Sequence, residues 1–269
     1  MSFATHPPRD GLRFRLQPLI DLIFPPRCAA RGCGRRGSWL CDACRAAIQP
    51  LPAGSCQRCA LRSDELGPCP ACLRRPMPFA RCFAAGAYEA PLSDAIRAFK
   101  YRRQVGLAPI LAGLAANAIA SDRHVDRVVA LPSHPSRVAE RGIDHTARLA
   151  VGVAERIGLP LASDCLRRRR ATQAQVGRSA SARAANVAGA FTVGSEVGCQ
   201  GLRILLVDDV MTTGATASEA TRALIQAGAA SVDLCLVARA LPPRLVGTRP
   251  DHYNSSSDRG SCGLRTTHH

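Results

Sequence analysis

Apolar runs and amphipathic segments alternate along the chain from about residue 82 to residue 243. Continuous apolar runs, typical of strands buried on both faces, occur at 127–131, 203–207 and 231–238. Helices with one apolar side are predicted over 91–101, 107–120, 144–157 and 214–227. Strands alternating with helices favour a parallel sheet. The sequence therefore predicts an α/β fold, with a parallel sheet flanked by helices.

Three shorter segments are less regular. Residues 82–90 fit either a strand or a hairpin, whereas 161–166 and 191–193 are short strand candidates. The pattern ends after Pro243, where a polar tail with a serine run begins. We predict that the α/β domain spans 83–243 and that 244–269 form a disordered tail.

The N-terminal part has a different texture. Residues 1–24 are interpreted as a leader whose second half forms a short amphipathic helix. They lack the apolar core and cleavage site of a secretory signal, and no apolar run approaches the length of a membrane span. We therefore expect a cytoplasmic protein without a membrane span. Residues 25–82 are rich in Cys, Pro, Gly and Arg and predict a small module held together by metal.

Nine of the thirteen cysteines lie between Cys28 and Cys82. Eight of them form two sets of four, each made of two close pairs. The first set is Cys28, Cys33, Cys41 and Cys44, and the second is Cys56, Cys59, Cys69 and Cys72. Four thiolates in two close pairs suit a tetrahedral Zn²⁺ site, and such a cluster in a cytoplasmic chain favours metal over disulfides. The spacing predicts a double zinc ribbon with one or two structural zinc ions, and Cys82 as a buried thiol outside both sets.

The charge of the chain points to a polyanionic partner. The formal net charge is +16, and Lys100 is the only lysine among 36 basic residues. An excess of basic residues favours a phosphorylated sugar, a nucleic acid or both. Six arginines and no acidic residue lie in 167–188, a stretch expected to be flexible. They are Arg167, Arg168, Arg169, Arg170, Arg178 and Arg183.

Residues 203–228 carry the most specific chemistry. A buried strand leads into Asp208 and Asp209, and a small loop then precedes a helix. The loop consists of Thr212, Thr213, Gly214, Ala215 and Thr216. Two carboxylates can accept hydrogen bonds from vicinal sugar hydroxyls, and a loop at a helix N-terminus can hold a phosphate. This order of parts indicates a site for a ribose 5-phosphate.

The segment resembles the 5-phosphoribosyl 1-diphosphate (PRPP) motif of type I phosphoribosyltransferases. From about residue 28 to residue 241 the chain also resembles the ComF family, in which a zinc region precedes a phosphoribosyltransferase-like domain. The resemblance is carried by four ordered blocks, at 88–108, 130–150, 167–191 and 203–228.

The resemblance implies a role for each matching segment. Asp208 and Asp209 would contact the ribose hydroxyls directly or through Mg²⁺, and the loop 212–216 would bind the 5-phosphate. The turn after strand 127–131 would bind the diphosphate through Ser133, Arg137, Arg141 and Gly142. The arginine-rich stretch would close over the site.

One block departs from the family pattern. The family usually reads Arg-Gly-Phe-Asn-Gln where this chain reads Arg-Gly-Ile-Asp-His at 141–145. Asp144 either places a negative charge near the diphosphate position or caps the following helix. His145 is expected on the surface of that helix.

Three functions fit these features. The first is a ComF-like protein of DNA uptake or utilisation, which would handle single-stranded DNA and work with a DNA-uptake helicase. The second is an active phosphoribosyltransferase of nucleotide salvage using PRPP and Mg²⁺, a reaction that needs no protein nucleophile. The third is a PRPP-sensing regulator that binds nucleic acid. Few aromatic residues are available for base stacking or for a nucleobase pocket, so the sequence leaves catalysis open.

Overall fold

The computed structural model describes residues 25–63, 67–122, 124–169, 189–194 and 199–242. The strands are β1 (Cys82–Ala87), β2 (Arg127–Ala130), β3 (Leu166–Arg168), β4 (Phe191–Val193), β5 (Arg203–Met211) and β6 (Ser231–Arg239). The helices are α1 (Asp42–Ala46), α2 (Pro70–Arg74), α3 (Leu92–Tyr101), α4 (Ala108–Asn117), α5 (Pro135–Arg141), α6 (His145–Ile157) and α7 (Ala215–Gln226), with a 3₁₀ turn at Val105–Leu107. The predicted leader and tail lie outside the described residues.

Four strands form the parallel sheet that the apolar runs predict. The strand order is β1-β6-β5-β2, and all three pairings are parallel. Leu206 of β5 lies between Val129 of β2 and Leu234 of β6. All three side chains are buried, since helices cover both faces of such a sheet.

Strand β5 divides its side chains between two cores. Leu205 and Val207 join the core formed with α3, α4 and α6 on one face. Ile204 and Leu206 join the core formed with α7 and the β3–β4 pair on the other. Successive side chains of a strand point to opposite faces of the sheet. Because helices or strands cover both faces here, every position of β5 in the sheet centre has to be apolar, which explains the continuous apolar run.

The cysteine-rich module packs against the outer edge of the sheet. The backbone N–H groups of Cys82 and Ala87 in β1 donate to the carbonyls of Gln57 and Gln49, at 2.8 and 2.9 Å. This pairing covers the edge strand, which would otherwise expose hydrogen-bonding groups. The Arg31 N–H donates to the carboxylate of Asp94 in α3 at 2.9 Å, which ties the first cysteine set to the helical layer.

Two local predictions were wrong and one ambiguity is resolved. The strand predicted over 161–166 is displaced: residues 161–165 form only a single bridge, from Leu161 to Val128, and the strand β3 begins at Leu166 and pairs antiparallel with β4. The turn expected after β2 contains the short helix α5, which begins with Pro135 at a position where proline favours a helix start. Residues 82–87 are a parallel edge strand rather than a hairpin. Within the described ranges, no helix is long and apolar enough to cross a membrane.

Helices α4 and α6 approach so closely that one glycine is required between them. A Cβ atom at Gly152 would lie 2.7 Å from the Cβ of Ala112, whereas one at Gly113 would only contact the Arg156 guanidinium at 3.7 Å. We expect Gly152→Ala to lower the free energy of unfolding by about 1–3 kcal/mol through overpacking. Gly113→Ala should raise it by up to about 1 kcal/mol because alanine favours the helix. Urea denaturation of both variants checks this, and equal shifts in one direction would contradict the packing account.

Candidate functional site

The acidic pair lies near the carboxyl end of β5, where ligands bind in open parallel sheets. Asp209 is buried and Asp208 half-buried. The Asp209 N–H donates to Oδ1 of Asp208 at 2.8 Å, which fixes the first carboxylate against the backbone. Two carboxylates in this position need nearby positive charge.

Lys100 supplies that charge from helix α3. Its Nζ lies 2.7 Å from Oδ2 of Asp209, in a largely buried ion pair. Burial lowers the pKa of Lys100, but the carboxylates of Asp209 and Asp208 outweigh this effect and raise the pKa above its usual value. No motif in the sequence predicts this role for Lys100. The signal that could have identified it is a single lysine in a chain that otherwise uses arginine.

Asp208 has an unusual protonation equilibrium. Burial and the neighbouring Asp209 raise the pKa of Asp208 to about 8, although Lys100 and Arg168 oppose the rise. The carboxyl group is therefore poised to lose its proton when a cation or a hydroxyl donor approaches near neutral pH.

The loop after β5 leaves the start of α7 open. Gly214 adopts a left-handed conformation with φ of 79° and precedes the helix without a capping side chain. Thr212 is exposed, and the Ala215 N–H makes only a long contact of 3.5 Å with Oγ1 of Thr213. Free N–H groups at the first turn of a helix bind anions. The start of α7 therefore has no side-chain cap, which is a property that an anion site at a helix start needs.

One arginine of the 167–183 group is close enough to the acidic pair to interact with it electrostatically. Arg168 in β3 interacts electrostatically with Asp208 and with Arg137 of α5. Arg167 is exposed and lies 3.9 Å from Asp164, and Arg169 is also exposed. Arg170, Arg178 and Arg183 lie outside the described residues.

The residues expected to bind diphosphate are not all free to do so. Ser133 donates to Oδ1 of Asp144 at 3.2 Å. Arg141 stacks over the exposed ring of Tyr101, with 4.9 Å from its guanidinium carbon to the ring centroid. Gly142 ends α5 in a left-handed conformation. Arg137 is close enough to Arg168 to interact with it electrostatically.

The departure at 141–145 has a structural explanation. Oδ1 of Asp144 accepts hydrogen bonds from the N–H groups of Thr146 and Ala147, both at 3.1 Å, so Asp144 caps α6. The capping alternative is confirmed. The surface position expected for His145 was wrong: it is only 3% exposed, and its ring packs edge-on against Phe99 at 4.7 Å. Burial and Arg141 lower the pKa of His145.

The two cysteine sets come together as two separate clusters. In each, four sulfur atoms lie within 4.8 Å of one another. The Sγ atoms of Cys33 and Cys41 are 3.7 Å apart, and those of Cys59 and Cys69 are 3.6 Å apart. Four sulfurs bound to one Zn²⁺ at about 2.3 Å lie about 3.8 Å from each other. Both clusters therefore fit a tetrahedral zinc ion.

Backbone donors prepare these sulfurs for metal binding. The N–H groups of Cys41 and Cys69 donate to Cys28 and Cys56 at 3.5 and 3.3 Å. Burial raises the pKa of Cys56, but backbone donors at Cys69 and Cys59 outweigh it and lower the pKa to about 7. Thiolate is the form that binds zinc. The second cluster is fully buried, whereas Cys33 and Cys44 of the first are partly exposed.

Comparison with protein-family models matches both parts of the chain. Residues 19–73 match the double zinc ribbon domain, and residues 106–252 match the phosphoribosyl transferase domain. The zinc ribbon prediction and the phosphoribosyltransferase-like fold are confirmed by these matches together with the parallel sheet and the clustered cysteines.

Relatives match over most of their length. The DNA utilization protein YhgH of Salmonella typhi is 32% identical over 209 residues, covering 75% of this chain and 91% of its own. Competence protein F of Haemophilus influenzae is 27% identical over 75% of this chain and 90% of its own. Among solved structures, a B. subtilis glutamine PRPP amidotransferase aligns with 47% of this chain and 25% of its own, at 24% identity and a TM-score of 0.33. The chain therefore belongs to the ComF family, in which a double zinc ribbon precedes a phosphoribosyltransferase domain.

Proposed function

We propose that the protein serves DNA uptake or DNA utilisation, and that it joins a PRPP-type ribose-phosphate pocket to a basic surface for single-stranded DNA. The observation that carries the pocket is the grouping of Asp208, Asp209 and Lys100 next to an uncapped helix start. Two relatives named for DNA utilization and for competence support the biological setting.

The pocket residues divide the work of holding a ribose phosphate. Asp208 and Asp209 accept hydrogen bonds from two ribose hydroxyls, and the 212–216 loop donates to the 5-phosphate. The carboxylates of Asp208 and Asp209 would repel the diphosphate of a bound PRPP. The positive charges of Lys100 and Arg168 reduce this repulsion. Mg²⁺, held by the acidic pair and the diphosphate, would neutralise the charge of the leaving group.

The nucleic-acid surface is proposed from charge and from one exposed aromatic residue. The net charge of +16 favours a polyanion. Of the predicted DNA-contacting arginines, Arg167 and Arg168 lie in β3 and Arg169 directly follows it. Tyr101 is 68% exposed and follows Lys100 directly, with Arg141 against one side of its ring. Aromatic rings next to arginine offer stacking positions for unpaired bases.

An active phosphoribosyltransferase is the second candidate function. The Asp144 substitution does not place a free carboxylate at the diphosphate position, because Asp144 caps α6 and accepts from Ser133. That observation keeps PRPP binding compatible with the departure at 141–145. Release of diphosphate with a nucleobase acceptor would distinguish turnover from binding alone.

PRPP with Mg²⁺ should stabilise the wild-type protein against heat. At one hundred times the Kd, binding contributes about 2.7 kcal/mol, which corresponds to a rise in Tm of about 5 °C or more. Asp208→Asn/Asp209→Asn should abolish the rise, because neutral amides accept hydrogen bonds from the ribose hydroxyls more weakly and no longer attract Mg²⁺. A thermal-shift titration measures this.

Asp126→Asn is the matched control, since Asp126 pairs with Arg203 near the opposite end of β5. It should keep the full ligand-induced rise. If the wild type gains no stability at any PRPP concentration, the pocket assignment is wrong.

Single-stranded DNA should bind with strong salt dependence. If all six arginines of 167–183 contact phosphates, the slope of log K against log salt is about −4, and replacing Arg170, Arg178 and Arg183 by Gln should reduce it by about 2. Filter binding over a salt series measures both slopes.

The control replaces three exposed helical arginines, Arg97, Arg156 and Arg222, by Gln. Net charge falls equally in the two variants, so a general charge effect would change both slopes alike. A slope near zero in the wild type would exclude phosphate contacts by the arginine segment.

A further inference from the structure

Arg239 connects the second cysteine cluster to the phosphate loop. It is the last residue of β6 and is 3% exposed. Its Nε donates to the carbonyl of Cys59 at 2.8 Å. Its Nη1 donates to the carbonyls of Met211 and Thr212, at 2.8 and 2.6 Å. One guanidinium therefore joins a metal-ligand residue to the start of the loop that follows the acidic pair.

A second contact joins the same two parts independently. Met77 packs against the second cluster, and its Sδ accepts a hydrogen bond from Ser218 Oγ of α7 at 3.5 Å. A Cβ atom at Gly214 would lie 3.4 Å from Cε of Met77. The thioether thus borders the loop at its left-handed glycine, while Arg239 holds the loop at its beginning.

We propose that Arg239 is a positioning residue for the sugar-phosphate loop, and that the second zinc ribbon, through Arg239 and Met77, holds this loop in its binding conformation. The proposal rests on the pocket described under Proposed function. Loss of metal from the second cluster would move the Cys59 carbonyl, release one end of the guanidinium and loosen the loop. The first cluster packs against α3 and α4 instead, so loss of its metal should leave the loop in place.

The side chain at position 239 has to be arginine for this role. A guanidinium is planar and presents donors in different directions, so it can reach Cys59 and the loop carbonyls at once. A lysine keeps the charge but concentrates its donors on one nitrogen. A matched charge control is Arg203, at the opposite end of the neighbouring strand β5 and paired with Asp126.

The cysteine clusters provide a second matched pair. Cys44 lies in α1 and Cys72 in α2, and each is the last ligand of its own cluster. Cys44→Ser and Cys72→Ser therefore remove equivalent thiolates from the first and second clusters. Zinc content per chain, measured on each full-length variant, verifies that each change affects its own site.

The first measurement is hydrogen–deuterium exchange of residues 209–218 in the ligand-free protein. Arg239→Lys and Cys72→Ser should increase the exchange rate of this segment by roughly ten-fold, whereas Arg203→Lys and Cys44→Ser should leave it near the wild-type rate. Met77→Ala tests the second contact and should also increase exchange, even if Arg239→Lys does not accumulate as a folded protein. Unchanged exchange in Cys72→Ser and Met77→Ala would overturn the proposal, as would equal increases in the two cysteine variants.

The second measurement is the Kd for PRPP with Mg²⁺. Arg239→Lys and Cys72→Ser should weaken binding by roughly ten-fold relative to their controls, because a misplaced loop loses phosphate contacts. Arg239→Lys should keep the zinc content of the wild type, which separates loop positioning from metal loss. If the wild type does not bind PRPP, the proposed pocket fails, whereas the exchange measurement still decides whether the ribbon holds the loop.

Discussion

The buried ion pair between Lys100 and Asp209 is the interaction on which the candidate site depends. The central strand β5 carries two adjacent carboxylates into a part of the fold where water is scarce, and uncompensated charge there would be costly. Lys100 compensates it from α3, with 2.7 Å between Nζ and Oδ2. The ion pair therefore holds α3 in a fixed position against the carboxyl end of β5. The raised pKa of Asp208 shows that Lys100 does not fully compensate the negative charge of the two carboxyl groups. Hydrogen bonds from ligand hydroxyls or a divalent cation would lower this pKa.

The cysteine-rich module and the α/β domain make more contacts with each other than two domains joined only by a linker would. Residues of the first cysteine set share a core with α3 and α4, and the second set contacts the loop 212–216 and α7 through Arg239 and Met77. Gln49 of the linker and Gln57 of the second cysteine set together cover the free edge of β1. The two ribbons thus contact different parts of the domain: the first packs against the helical layer, and the second contacts the loop that would receive phosphate.

Local patterns predicted the parts of this molecule whose structure is decided locally. The cysteine spacings identified both clusters, and the apolar run that leads into Asp208 and Asp209 identified β5 and its loop. Both signals consist of residues that lie close together in the sequence. Tertiary contacts decided the rest. Arg239 reads as the end of a buried strand, and only the folded chain shows that it bonds to Cys59, 180 residues away. The burial of His145 follows from its packing on Phe99. Strand β3 pairs with β4 although its sequence, Leu-Arg-Arg, shows no strand pattern.

The central claim is that the acidic pair and the loop 212–216 form one ribose 5-phosphate site. A crystal structure of the protein with ribose 5-phosphate and Mg²⁺ tests it most directly. The phosphate is predicted within hydrogen-bonding distance of backbone N–H groups in the loop, with the sugar hydroxyls against Asp208 and Asp209. A sugar phosphate bound elsewhere at full occupancy, with the Lys100–Asp209 pair and the loop unoccupied, would contradict the account.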